Sequence, residues 1–174
     1  MRKGRLLGSL TLILTCITSQ AHAQGEAGAI PPDFRLVAEY GPGFSPWKPW
    51  TLTITRDGAA LQETYVFHTG TESIITKSFK LTKEDVKHLV KLVSESRFFL
   101  LAEKYSYEVT DSPTLVLRVT MNRASHEVVV YSPGDLRGNN EVEGFLTVWN
   151  EVLRKVPPPN VEQRAQRFII FSDS

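Results

Sequence analysis

The stretch Thr51-Leu52-Thr53-Ile54-Thr55-Arg56-Asp57-Gly58-Ala59-Ala60-Leu61-Gln62-Glu63-Thr64-Tyr65-Val66-Phe67 decides the fold class. Threonine alternates with an aliphatic residue from 51 to 55, a period of two that puts one set of side chains on each face of a strand. Arg56-Asp57-Gly58 interrupts the run, and Asp-Gly suits the positive φ angles of a tight hairpin. Leu61 to Phe67 is then the returning strand. The unit is an antiparallel hairpin, and the rest of the chain is read around it.

Downstream, Gly70 ends the returning strand. Ser73 to Lys80 reads as a further strand, with Ile74 and Phe79 facing in and Ile75 opposed. Thr82 caps a helix and Asp85 sits in the reciprocal capping-box position. Val86, Leu89, Val90 and Val93 form its buried face, and the helix ends near Ser96. Phe98 to Leu101 is an apolar cluster expected to tuck under the sheet. After the break at Ser112-Pro113, Leu115 to Met121 alternates, Asn122 to Ser125 turns, and His126 to Tyr131 is the partner strand. Val142, Phe145, Leu146, Trp149, Val152, Leu153 and Val156 make a second helical stripe, which Pro157-Pro158-Pro159 stops. Upstream, Phe34 to Tyr40 is a first strand, broken by Gly41-Pro42-Gly43. The predicted architecture is α+β: an antiparallel sheet of about six strands with two helices packed on one face.

The two termini differ from this pattern. Arg2, Lys3 and Arg5, an uncharged apolar run from Leu6 to Thr18, and Ala21-His22-Ala23 read as a signal peptide over 1–23, cleaved after Ala23. The apolar run is short of the ~20 residues a membrane span needs. The expected layout is a signal peptide at 1–23, a flexible leader at 24–33, one α+β domain at 34–156 and a Pro-started tail at 157–174. The tail's Phe168-Ile169-Ile170-Phe171 is a candidate edge strand or self-association element. The expected address is periplasmic or extracellular.

The full chain has 174 residues, 20 basic and 19 acidic, and a formal charge of +1. Removing 23 residues, with Arg2, Lys3, Arg5 and the single Cys16 among them, leaves 151 residues, 17 basic against 19 acidic, a net charge of −2 and no cysteine. That composition offers no disulfide framework, no Cys-based zinc site and no basic run for nucleic acid.

Several motifs occur together in order: Gly41-Pro42, the strand Thr51 to Gly58, Arg97-Phe98-Phe99 after a helix, and Thr110-Asp111-Ser112-Pro113-Thr114. In this the chain resembles a family of small exported bacterial domains of unknown function, over roughly residues 34–156. The resemblance implies fold and export and supplies no activity. Family members often carry Cys-Pro in the Gly-Pro loop; here Ser45-Pro46 stands there, which excludes a thiol-based role.

The chemistry is sparse. His68, His88 and His126 lack paired ligand spacing, so neither a metal nor another cofactor is expected. Asp57-Gly58 reads as a hairpin, and Thr110, Asp111 and Pro113 as a turn in which the Asp111 carboxylate accepts backbone N–H groups. No Gly-x-Ser-x-Gly elbow is present for Ser112. Phe44, Trp47 and Trp50, on a Pro-rich loop, are the candidate binding residues, either as a platform for a protein or an envelope glycan or as a cover over the sheet edge. The leading expectation is a non-catalytic exported domain that binds a protein or cell-envelope component. The alternative is a small periplasmic hydrolase using Asp111 and His126, which requires the two side chains within hydrogen-bond reach.

Overall fold

The computed structural model describes residues 29–44, 48–68 and 71–159. The expected signal peptide, the start of the leader, Trp47 and the tail from Asn160 lie outside them. The opening hairpin is formed by β2 (Trp50–Thr55) and β3 (Ala59–His68), with Ile54 opposite Ala60. In its turn only Gly58 takes a positive φ, 84°, and its N–H donates to the Thr55 carbonyl at 2.8 Å. This is a three-residue connection closed by a left-handed glycine, not a two-residue turn. A Cβ at Gly58 would lie 2.4 Å from the Leu81 carbonyl oxygen, so glycine is required on two counts. The Thr55 hydroxyl and the Lys80 ammonium both donate to Asp57, which holds its carboxyl down to about 2.

The other strands are β1 (Arg35–Gly41), β4 (Thr71–Lys80), β5 (Lys104–Ser106), β6 (Thr114–Met121) and β7 (Ala124–Tyr131). They form one sheet in the order β4-β3-β2-β1-β6-β7-β5. The α+β class is as expected, but among the described residues the sheet has seven strands and is mixed: β5 pairs parallel with β7 while every other pair is antiparallel. β5 is three residues long, too short to show a period. The β6–β7 turn is the two-residue type, with Asn122 at φ 54° and Arg123 at φ 65° and no glycine. The Asp33 carboxylate satisfies both turn N–H groups, at 2.9 and 2.6 Å, and these bonds hold its pKa down. Packing therefore starts before Phe34; Pro31 is buried, and Ile30 lies against the core.

Helices α1 (Lys83–Glu95) and α2 (Asn140–Lys155) contribute Val86, Leu89, Val93, Phe145, Trp149 and Val152 to one core, together with Leu36, Leu52, Ile54, Leu117 and Val128 from alternate strand positions. Each such side chain contributes about 1.5–3 kcal/mol by leaving water. Tyr40, Trp50, Trp149 and Phe145 stack in sequence, with centroids 5.9, 5.6 and 6.1 Å apart. The cluster at 98–101 divides. Arg97 takes φ 53° after α1, and Phe98–Leu100 forms a 3-10 turn, which superimposes residues three apart. Phe98 and Leu101 therefore enter the core, while Leu100 is 77% exposed. On β4, Phe79 is half-buried on the same face as Ile75, and Ile74 points to the opposite face. This corrects the expected pairing of Ile74 with Phe79.

The capping box at Thr82 and Asp85 is present with both reciprocal bonds. Asp85 also accepts from Lys155 in the last turn of α2, and Lys155 is the leading cause of its lowered pKa, followed by Thr82. A depressed carboxylate stabilises the fold above its unfolded pKa, and that contribution is lost as pH falls through the folded value. Asp85→Asn should therefore lower stability at neutral pH, and its gap to wild type should narrow as pH drops below about 4. Urea unfolding across that range reads the gap; a gap independent of pH would exclude the ion pair as its source.

Candidate functional site

Tyr40, Trp50, Leu115 and Val130 lie in one row across the sheet, and Ser106 pairs with Tyr131 beside it. That register brings three connections to the same end of the sheet: the Gly41–Pro49 loop, the Tyr107–Pro113 loop and the turn after Tyr131. They are joined to one another. Phe44 N–H donates to the Asp111 carbonyl at 3.2 Å, and Ser132 N–H donates to the Pro113 carbonyl at 3.0 Å. The Tyr131 hydroxyl accepts from Ser112 N–H at 3.2 Å and donates to the Val109 carbonyl at 3.0 Å. The Ser112 and Ser132 hydroxyl oxygens are 3.1 Å apart, and Ser132 donates to Asp135. A hydroxyl has one proton and a carboxylate only accepts, so Ser112 supplies the proton between the two serines.

This junction holds left-handed backbone in three places: Gly43 at φ 59°, Asp111 at φ 64° and Ser132 at φ 56°. For non-glycine residues that conformation costs about 1–2 kcal/mol each. A Cβ on Gly43 would lie 2.5 Å from the Ser112 carbonyl oxygen and 2.7 Å from that of Asp111. The Gly-Pro loop and the Thr-Asp-x-Pro-Thr segment, far apart in sequence, are thus in backbone contact.

The structure separates the residues singled out from sequence. Phe44 is 86% exposed at the junction, whereas Trp50 is only 4% exposed and belongs to the core stack. Trp47 lies outside the described residues. Asp111 enters through its backbone, by its left-handed φ and its carbonyl; among the described residues its carboxylate makes none of the expected bonds to backbone N–H groups. Thr110 is exposed and Pro113 half-buried in the same loop. Asp57 and Gly58 turn at the other end of the sheet. Asp111 and His126 are not brought together. His126 pairs with Val119 and Tyr131 with Thr114, which places them about 17 Å apart along the ladder, and Asp111 lies beyond Thr114. His126 Nε2 is 2.9 Å from the Leu101 carbonyl oxygen, and its ring meets Phe98 edge-on. His88 pairs with Glu151 at 3.4 Å, and Arg154 leads in holding Glu151 below the usual carboxylate range. Among the described residues no group of His, Cys, Asp and Glu could hold a metal ion.

Sequence reading missed Tyr107, which is 52% exposed in the loop that follows β5. Its signal was faint: one aromatic in a polar stretch after a strand too short to recognise. Among the described residues, Phe44 and Tyr107 are the large apolar side chains exposed on these loops. Ile74 and Ile75 are exposed on the β3–β4 ribbon, which runs past Trp50 toward the same end.

A family model described as "Domain of unknown function (DUF6438)" matches residues 44–151, more than half of the chain. The match includes the hairpin at 51–58, Arg97-Phe98-Phe99 and Thr110 to Thr114. No curated protein matches the sequence.

Two comparisons test the junction. Gly43→Ala should cost about 2 kcal/mol or more, since it adds left-handed strain and a backbone clash, while Gly134→Ala, which meets nothing, should stay within about 0.5 kcal/mol. Trp50→Ala should cost about 3–5 kcal/mol and Phe44→Ala almost nothing, read by chemical denaturation.

Proposed function

We propose that this chain, which belongs to the DUF6438 family of domains of unknown function, is an exported, non-catalytic domain that binds a protein partner through the loop end of its sheet. The observation that carries this reading is Phe44: a large aromatic side chain, 86% exposed, on a loop whose backbone is bonded to a second loop. An aromatic side chain on a bonded loop can bury a large apolar area in a partner at low side-chain entropy cost. Tyr107 adds a second aromatic at the same end, and Tyr and Phe are enriched in protein interfaces.

Export is supported by the basic start, the apolar run and the Ala21-His22-Ala23 site. The cleaved product should begin at Gln24, which the intact mass of the protein recovered outside the cytoplasm checks; a retained N-terminus would count against export. For the binding surface, a photo-crosslinking phenylalanine analogue at position 44 or 107, expressed in the native host, should capture the same partner protein. The same analogue at Leu100, also exposed but near the His126 end of the sheet, should capture none. Equal capture from all three positions would sink the assignment of the loop end.

A further inference from the structure

The free edge of β4 is the largest feature that the loop end leaves unexplained. Tyr65 N–H donates to the Pro49 carbonyl on the β2 side. Backbone groups alternate along a strand, so Thr64 and Val66 turn toward β4, and their partners Ile75 and Ser73 turn back toward β3. The N–H groups of Glu72, Ile74, Thr76 and Ser78 therefore face outward, with no strand beyond them among the described residues. Both faces of this edge are bare as well: Ile74 is 55% exposed on one and Ile75 50% exposed on the other. A ten-residue edge strand with apolar side chains exposed on both faces is the type that soluble proteins cover.

We propose that the chain's own C-terminal segment, residues 168–171, covers it by adding to β4 as an eighth strand. The described chain ends beside this edge. The Gln62 side-chain amide on β3 donates to the Pro157 carbonyl at 3.0 Å, and Gln62 is paired with Lys77 of β4. From there the open edge is two strand spacings away, about 10 Å. Residues 160–167 can span up to about 26–29 Å when extended, so Phe168 reaches any row of the edge. The composition matches too. Phe168-Ile169-Ile170-Phe171 is apolar at four consecutive positions, which in a strand gives two apolar side chains to each face. That suits a ribbon with Ile74 on one face and Ile75 on the other, and would be wasted on a strand with one wet face. A tethered segment also acts at roughly millimolar effective concentration, which favours it over a second copy of the chain pairing through one strand.

Hydrogen exchange on the full chain tests this. The outward amides of Ile74 and Thr76 should be protected in the wild type, and so should alternate amides within 168–171. Ile169→Asp with Ile170→Asp, one on each face, should speed exchange at Ile74 and Thr76 at least tenfold and leave the β6 amides unchanged. Unprotected amides at 168–171 in the wild type would overturn the proposal whatever the variant does. So would protection at β4 that rises with protein concentration and accompanies a doubled mass, because the covering strand would then come from a second copy. Neither outcome bears on Phe44, whose crosslinks report the loop end separately.

Discussion

Trp50 stacked on Trp149 is the contact on which the rest of the structure depends. Trp50 is the first residue of β2 and the end of the Pro-rich loop, and its ring lies between Tyr40 in the sheet and Trp149 on α2. Two indoles of this kind bury about 150–250 Å² each, more than any aliphatic pair in the core. The stack therefore sets where α2 sits along the sheet and where β2 begins. The next residue back, Pro49, is held by Tyr65 N–H, so both sides of the loop's exit are fixed.

What was legible in the sequence was periodic and local. The alternation at Thr51 to Thr55, the capping box at Thr82 and the stripe from Val142 to Val156 each repeat over several residues, and each appears where the spacing put it. What was illegible had no period to show. β5 is three residues long and joins the sheet parallel to β7, a pairing that local pattern does not encode. The glycine-free turn at Asn122-Arg123 is completed by Asp33, ninety residues earlier in the chain. Trp50 misled because its neighbours Pro46, Trp47, Lys48 and Pro49 look like loop, while its burial is decided by a helix a hundred residues downstream. The site was half legible. Phe44 and the two motif segments were visible, but their contact is made by backbone carbonyls, which sequence does not display.

The left-handed residues at the junction explain why its sequence looks as it does. Gly43 bears no steric cost there, and Asp111 belongs to the types that tolerate positive φ, through a short polar side chain. Ser132 does not, and it is the one held most firmly: its N–H bonds to Pro113, its hydroxyl meets Ser112 and Asp135, and it is 2% exposed. A non-glycine residue stays in that conformation only where its surroundings over-determine it. Here the surroundings are the Tyr107–Pro113 loop and Asp135 of its own turn. The strain in one loop is thus offset by bonds to its neighbours, and the Phe44 backbone is tied to the same segment through the Asp111 carbonyl.

The bare edge at β4 follows from width. Seven strands span six spacings of about 4.8 Å, close to 29 Å, whereas two packed helices cover about 20 Å. α1 and α2 lie over the middle of the sheet, where Leu36, Leu52, Leu117 and Val128 are buried, so one margin must go uncovered. On the β7 side the short β5 and the turn at Phe98–Leu101 fill the gap, and Tyr105 and Leu101 are buried there. On the β4 side the described chain supplies no such element. Ser73, Ile75 and Lys77 stay exposed on the very face that is core two strands away. A polar strand would be stable in that position; one carrying Ile74 and Ile75 together is a strand whose sequence anticipates a neighbour.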